Sequence, residues 1–191
     1  MDHPHPFTLF HAPGSRSERT RMMLELLEQN YELVPLDTSK QEHKRPEYLA
    51  LNPFGVVPTL VHKQRVILES AAQMMYLADL FPERGLAPPL GDEKRATYFE
   101  LFVLSPSELE PRVTRAWRDP KSDESAQTIR SALELWVDRL ATPYFLGDQM
   151  SAVDVFIHWS MRFFSNEILA HYPALQRYDE LMRTHLDWNR S

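Results

Sequence analysis

Apolar residues recur along this chain at two spacings, mixed before about residue 82 and helical alone beyond it. Phe7-Thr-Leu-Phe10 reads as a short strand, and Ala12-Pro-Gly-Ser-Arg-Ser17 is a turn rich in residues that break regular structure. Met22, Met23, Leu26 and Leu27 then recur at helical spacing, with Arg19, Glu25 and Glu28 at charged positions. Tyr31 to Leu36 reads as a second strand, so strand, helix and strand predict a parallel pair joined by a crossover helix. Residues 37–54 are a long polar connection that carries His43, Lys44 and a short helical piece near Tyr48. Thr59–His62 and Arg65–Leu68 predict a hairpin about Lys63-Gln64, and Ala71, Met74, Met75, Ala78 and Phe81 predict a helix with one apolar face.

Pro82 through Asp92 holds three prolines and two glycines among few apolar residues, the composition of a linker. The expected organisation is therefore a first domain over 1–82, a linker over 83–91 and a second domain over 92–191. Strand alternation is missing from the second part. It shows helical stripes instead, such as Ile129, Leu133, Trp136, Val137 and Leu140. Pro106 and Pro111 are expected to kink or split a long helix that otherwise runs from about Asp92 to Trp117. Ser151-Ala-Val-Asp154 reads as a capping box, with Met150 and Val155 as a hydrophobic staple, and is assigned a structural role.

Composition narrows the chemistry. The 191 residues suffice for a sizeable core, and 43% hydrophobic with 25% charged residues is ordinary for a globular chain. A formal charge of −6 argues against a nucleic-acid surface, so an anionic ligand would need local positive groups. With no cysteine, disulfides, thiolate metal sites and a protein thiol nucleophile are all excluded. No segment is apolar for ~18 residues, and the start of the chain is neither cationic nor apolar, which predicts a soluble cytoplasmic protein with no membrane partner. His3 and His5 lie in a Pro-rich tail with no further ligands fixed nearby, and His158 and His171 lack partners at matching spacing, so no metal site is expected.

The most informative stretch is Asn52-Pro-Phe-Gly-Val-Val-Pro-Thr-Leu60, followed by Glu69-Ser70. Pro58 lacks an N–H and biases Val57 toward an extended conformation, which leaves the peptide groups ahead of the strand free for a ligand. Ser70-Ala-Ala-Gln73 reads as a capped helix start whose N–H groups and dipole favour a carboxylate. Together they suit a small peptide with acidic ends.

These residues resemble the glutathione transferase superfamily, in which a cis proline holds backbone that pairs with the cysteinyl unit of glutathione and a Glu/Gln-Ser pair holds its γ-glutamyl end. Val57-Pro58 and Glu69-Ser70 match those elements, and Glu42 to Gly55 is similar to the phi and theta-like branches. The resemblance implies a thioredoxin-like α/β domain followed by an all-α domain, reduced glutathione as co-substrate, and a homodimer. It assigns the glycine carboxylate to His43 and Lys44, the γ-glutamyl amino group to Glu69, and the adjacent carboxylate to Ser70. Val56 stands where the phi branch often carries a polar side chain. A serine-type member would stabilise the glutathione thiolate from the loop before the first helix. Ser15 is the chosen hydroxyl, with Ser17 as the alternative, although alignment puts the position at Gly14, Ser15 or Arg16, and Arg16 would act by charge. By analogy His11, Pro13, Ser105, Leu109 and Trp117 line a second-substrate pocket for a hydrophobic electrophile. The Ser-Ser-Cys signature of the zeta branch is absent. The expected function is glutathione transfer; the alternative is a binding or regulatory protein of the same fold with little or no catalysis.

Overall fold

Phe7, Leu9 and Leu60 are buried, and the segments that carry them form the centre of a four-stranded sheet. The strands are β1 (Phe7–His11), β2 (Tyr31–Pro35), β3 (Thr59–His62) and β4 (Arg65–Leu68), in the order β2-β1-β3-β4. β1 runs parallel to β2 and antiparallel to β3, and β3 runs antiparallel to β4. The parallel pair requires a crossover, which α1 (Ser17–Leu26) supplies. The β3–β4 hairpin closes through Lys63 at a φ of +58°, an unusual conformation for a lysine. In this computed structural model, which describes residues 6–118 and 122–186, the chain forms two compact units, Met1–Arg84 and Gly85–Ser191. The His3 and His5 tail lies outside the described residues.

In the first unit α1 packs against α3 (Ser70–Leu80), and the long connection contains α2 (Pro46–Leu49). Met22, Met23 and Leu27 of the expected apolar stripe are buried, whereas Leu26 is only half-buried. The buried face of α3 is Ser70, Gln73, Met74, Leu77 and Ala78, turned from the expected stripe so that Ala71, Met75 and Phe81 are half-buried. Gln73 is the reason. Its side chain is fully buried, accepting from Thr20 Oγ1 at 2.6 Å and donating to the Ile67 carbonyl at 2.8 Å. A buried amide with its hydrogen bonds satisfied is compatible with a core position that hydrophobic counting cannot anticipate. The expected Ser70–Gln73 capping box is therefore replaced: Glu69 is the N-cap, Ser70 is the first helical residue, and no side chain caps the helix.

The second unit is helical: α4 (Lys94–Leu104), α5 (Glu110–Ala116), α6 (Asp123–Arg139), α7 (Ala152–Ser160), α8 (Asn166–Leu169) and α9 (Pro173–His185). Ser105–Leu109 forms a π-helical segment between α4 and α5, at the first of the two prolines expected to break that run. Every residue of α7 is buried, and α4 and α9 pack on it, as an all-round apolar helix requires. The Ser151–Asp154 cap forms as expected. Asp154 accepts from the Ser151 N–H at 2.7 Å, the Ser151 hydroxyl at 2.8 Å and the Phe145 N–H at 2.9 Å. Among the described residues no helix is long and apolar enough to cross a membrane.

Candidate functional site

Strand register gathers the residues that carry chemistry in the first unit. Phe10 pairs with Thr59, and Thr59 pairs with Leu68, so β1 ends beside the place where β3 begins and β4 ends. The Ala12–Arg16 loop, Val57-Pro58 and Glu69-Ser70 consequently share one end of the sheet. His11 pairs with Pro35 on the other side, which sends the connection bearing His43 and Lys44 away from that same end.

The Val57–Pro58 peptide is cis. Tyr48 Oη and Asn52 Nδ2 both donate to the Val56 carbonyl, and each also lies within hydrogen-bond distance of Thr59 Oγ1, at 2.7 and 3.1 Å. These anchors fix the chain on either side of Val57, yet the Val57 N–H and carbonyl make no hydrogen bond among the described residues. A fixed peptide with free polar groups is a docking edge for an extended ligand. Opposite it, Glu69 is exposed and holds a φ of +65°. That conformation is costly for a residue with a side chain, and strain of this kind concentrates at ligand clamps. It leads into a helix start without a side-chain cap, whose first N–H groups and dipole attract an anion.

His43 and Lys44 belong to a 3₁₀ turn, Glu42–Lys44. Lys44 Nζ donates to the carbonyls of Phe54 at 3.1 Å and Gly55 at 2.7 Å, so this cation ties two loops together and keeps one N–H for another acceptor. His43 Nδ1 is buried without a hydrogen-bond partner among the described residues. Gly55 sits at a φ of +56°, where an added Cβ would stand 2.8 Å from the His43 carbonyl oxygen and 2.9 Å from Leu49 Cδ2. Only glycine fits that crossing. Val56 exposes about half its surface, 51%, beside the open peptide.

The hydroxyl-bearing loop is tightly connected. Ser15 Oγ lies 2.7 Å from the Ala12 carbonyl and 2.7 Å from Ser17 Oγ, and its single proton serves one of them at a time. Ser17 is fully buried, and its Oγ lies 2.7 Å from His11 Nδ1 and accepts from the Ala12 N–H at 3.1 Å. Ser15 is half-buried, which leaves it the hydroxyl able to meet a ligand. Arg16 is the exposed N-cap of α1. His11, expected to line a pocket, is a buried side chain engaged with Ser17 and faced by Glu18 at 3.7 Å. Burial holds its pKa below the ordinary value, an effect that Glu18 opposes, Arg21 reinforces and Glu25 opposes.

The other residues expected around a second substrate divide between the units. Pro13 is exposed in the first. In the second, Ser105 and Leu109 are buried in the π-helical segment, and Trp117 closes α5 with its ring edge-on to Phe163 at 5.7 Å. Among the described residues no group of three or more His, Asp or Glu side chains is placed to hold a metal ion. Sequence reasoning missed the Tyr48–Asn52–Thr59 anchor and the Gln73 tie. Asn52, a polar residue inside the Leu51-Asn-Pro-Phe-Gly55 turn, was the available signal for the first.

The profile of the glutathione S-transferase N-terminal domain matches residues 5–79. Glutathione S-transferase 1 of Dianthus caryophyllus is 35% identical over 151 residues, 73% of this chain and 68% of the relative. A zeta-class glutathione S-transferase of Euphorbia esula is 31% identical over 183 residues, 87% of this chain and 80% of the relative. Among solved structures, a glutathione transferase of Methylococcus capsulatus str. Bath superposes with a TM-score of 0.78 at 26% identity, covering 93% of each chain.

Proposed function

This chain belongs to the glutathione S-transferase family, and from that premise we propose how its first unit binds reduced glutathione and prepares the thiol. The protein is an enzyme that transfers the glutathionyl group to an electrophile. The observation that carries the site assignment is the pairing of the open Val57 peptide with the uncapped, strained start of α3 at Glu69-Ser70. The cysteinyl unit of the tripeptide pairs along Val57, the γ-glutamyl carboxylate rests on the Ser70 N–H and hydroxyl, and Glu69 meets the γ-glutamyl amino group. His43 and the remaining Lys44 N–H serve the glycine carboxylate, with Val56 adding no polar contact.

Ser15 turns its hydroxyl proton from the loop toward the bound sulfur, and the dipole of α1 favours the same negative charge. A free thiol has a pKa of ~8.5, so such donation enlarges the reactive thiolate fraction near neutrality. The electrophile is small and hydrophobic. The absent Ser-Ser-Cys signature favours the theta/phi-like serine branch over zeta-type isomerisation. We place the protein in the cytoplasm, where the tripeptide is kept reduced, as a homodimer.

Titration calorimetry with reduced glutathione, followed by turnover of a chlorinated nitroaromatic, tests this reading. Saturable heat together with conjugate formation is expected. Absence of saturation at millimolar glutathione in folded protein overturns the binding site. Binding without turnover across a panel of electrophiles favours the second reading, a binding protein of this fold; the observation behind that reading is the inward engagement of the Ser15 hydroxyl on Ala12.

A further inference from the structure

The loop before α1 holds more than one hydroxyl. Glu18 Oε1, His11 Nε2 and Nδ1, Ser17 Oγ and Ser15 Oγ form a file with gaps of 3.7, 2.7 and 2.7 Å between carboxylate and ring, ring and hydroxyl, and hydroxyl and hydroxyl. Ring and inner hydroxyl are buried, and Ser15 stands at the half-buried end. Glu18 is held in place by the Gly14 N–H at 3.2 Å and by Arg21 Nε at 2.8 Å. Ser15 Oγ also accepts from the Ser17 N–H at 3.2 Å, a local contact at the start of α1 that does not require an imidazole behind it.

The direction of this file follows from counting protons. A neutral His11 places its N–H on Nε2, where the Glu18 carboxylate favours it, and leaves a lone pair at Nδ1. Ser17 then donates to Nδ1, and Ser15 donates inward to Ser17 or to the Ala12 carbonyl. Every proton faces away from a ligand. If Nδ1 instead carries a proton, it donates to Ser17, Ser17 donates to Ser15, and the Ser15 proton is released outward.

We propose that His11 is a positioning residue for thiolate formation, receiving the thiol proton of glutathione through Ser15 and Ser17 and so reversing the hydroxyl file. The inference rests on the function proposed above. The S–H bond breaks as its proton passes to Ser15 Oγ, the Ser15 proton passes to Ser17 Oγ, and the Ser17 proton forms the N–H bond at His11 Nδ1. The products are a thiolate and an imidazolium, with each serine left neutral. The same transfer leaves the reversed file donating from Ser15 to the sulfur it has just ionised. Attack on the electrophile discharges the thiolate, after which the imidazolium proton returns along the hydroxyls to the leaving group or to water.

Among the described residues the charged groups that bear on the ring are Glu18, Arg21 and Glu25, all on α1 or its end. The two carboxylates support the imidazolium and Arg21 opposes it. Burial favours the neutral His11 ring, which is the form that an acceptor needs.

The test uses the intact protein with its histidine nitrogens labelled, comparing reduced glutathione with S-methylglutathione, which presents the same tripeptide without a thiol proton. Nitrogen NMR is expected to show the His11 ring becoming protonated at Nδ1 on saturation with glutathione and staying neutral with the S-methyl form. A ring that stays neutral while the bound thiol is ionised by ultraviolet absorbance overturns the proposal. In parallel, His11→Asn keeps a donor for Ser17 but cannot take up a proton, and Ser17→Ala cuts the file while sparing Ser15. Each is expected to lower the thiolate fraction below neutrality roughly tenfold, with glutathione affinity changed less than about threefold and no further loss when the two are combined. A lowered thiolate fraction in Ser15→Ala alone, with both other variants unchanged, overturns the role of His11 and leaves the proposed function standing. Failure of both tripeptides to bind removes that function and this inference with it.

Discussion

Serine stands at the starts of both α7 and α3, and the two use it in opposite ways. At α7 in the second unit, Ser151 and Asp154 consume one another: the carboxylate accepts from two N–H groups and a hydroxyl, and all of it is buried. At α3 in the first unit, Ser70 is inside the helix, its cap position is a strained Glu69, and no side chain satisfies the first turn. The start of α1 lies between the extremes, with its hydroxyls hydrogen-bonded to each other and Ser15 Oγ also accepting from the Ser17 N–H at 3.2 Å. The lesson is thermodynamic. Polar groups that complete one another contribute stability, whereas those left open at a sheet end cost stability and are available for a ligand.

That contrast breaks most visibly at Asp154. Replacing it with alanine leaves the Phe145 and Ser151 donors buried without an acceptor, and we expect a loss of about 3–4 kcal/mol in denaturant unfolding. Glutathione affinity per folded molecule should not change; a coupled loss of affinity would mean that this cap is not purely structural. Gly55→Ala comes next. Its Cβ meets fixed backbone at 2.8 Å and a positive φ, so a cost of about 1–3 kcal/mol is expected, here accompanied by weaker glutathione binding in calorimetry.

Ser15→Ala should lower kcat/KM for a chloronitroaromatic by roughly 10 to 100-fold, about 1.4–2.7 kcal/mol of transition-state stabilisation, with unfolding stability nearly unchanged. Unchanged turnover would move the activating group to Arg16 or to backbone. Lys44→Met removes the tie to the Phe54 and Gly55 carbonyls and should weaken glutathione binding severalfold, about 1 kcal/mol. The smallest effect concerns pH. Burial and then Lys63 hold the pKa of His62 below its ordinary value, so the unfolded chain takes up this proton first as pH falls below about 6.5. Stability should therefore decline on acidification through that window, down to the lowered folded value, and His62→Gln should flatten the slope measured by denaturant titration at stepped pH.

Much of this contrast was legible beforehand, and the illegible part has a common cause. The parallel β1–β2 pair, the β3–β4 hairpin and the Ser151–Asp154 cap follow from local patterns in which each residue's partner is three positions away or one strand along. Gln73, Tyr48 and Asn52 do not. Their partners are Thr20, Thr59 and the Val56 and Ile67 carbonyls, between 4 and 53 residues away, and a polar side chain bonded across an irregular gap looks like any solvated one. The rotation of the α3 apolar face has the same origin, because Gln73 occupies a core position that hydrophobicity would give to Met75.

Residue order alone carries the α/β layout, the helical remainder, the Pro58 interruption ahead of β3 and the exclusion of protein thiol chemistry, since each depends on short-range sterics or on composition. Packing decides which of those groups remain unsatisfied. Whether Ser15 points in or out, whether Lys44 holds a loop or a ligand, and whether His11 lines a surface or stands behind Ser17 all depend on distances of about 3 Å between segments that meet through strand register and loop closure. Hydrogen-bond partners are chosen at that range, and no one-dimensional spacing encodes it.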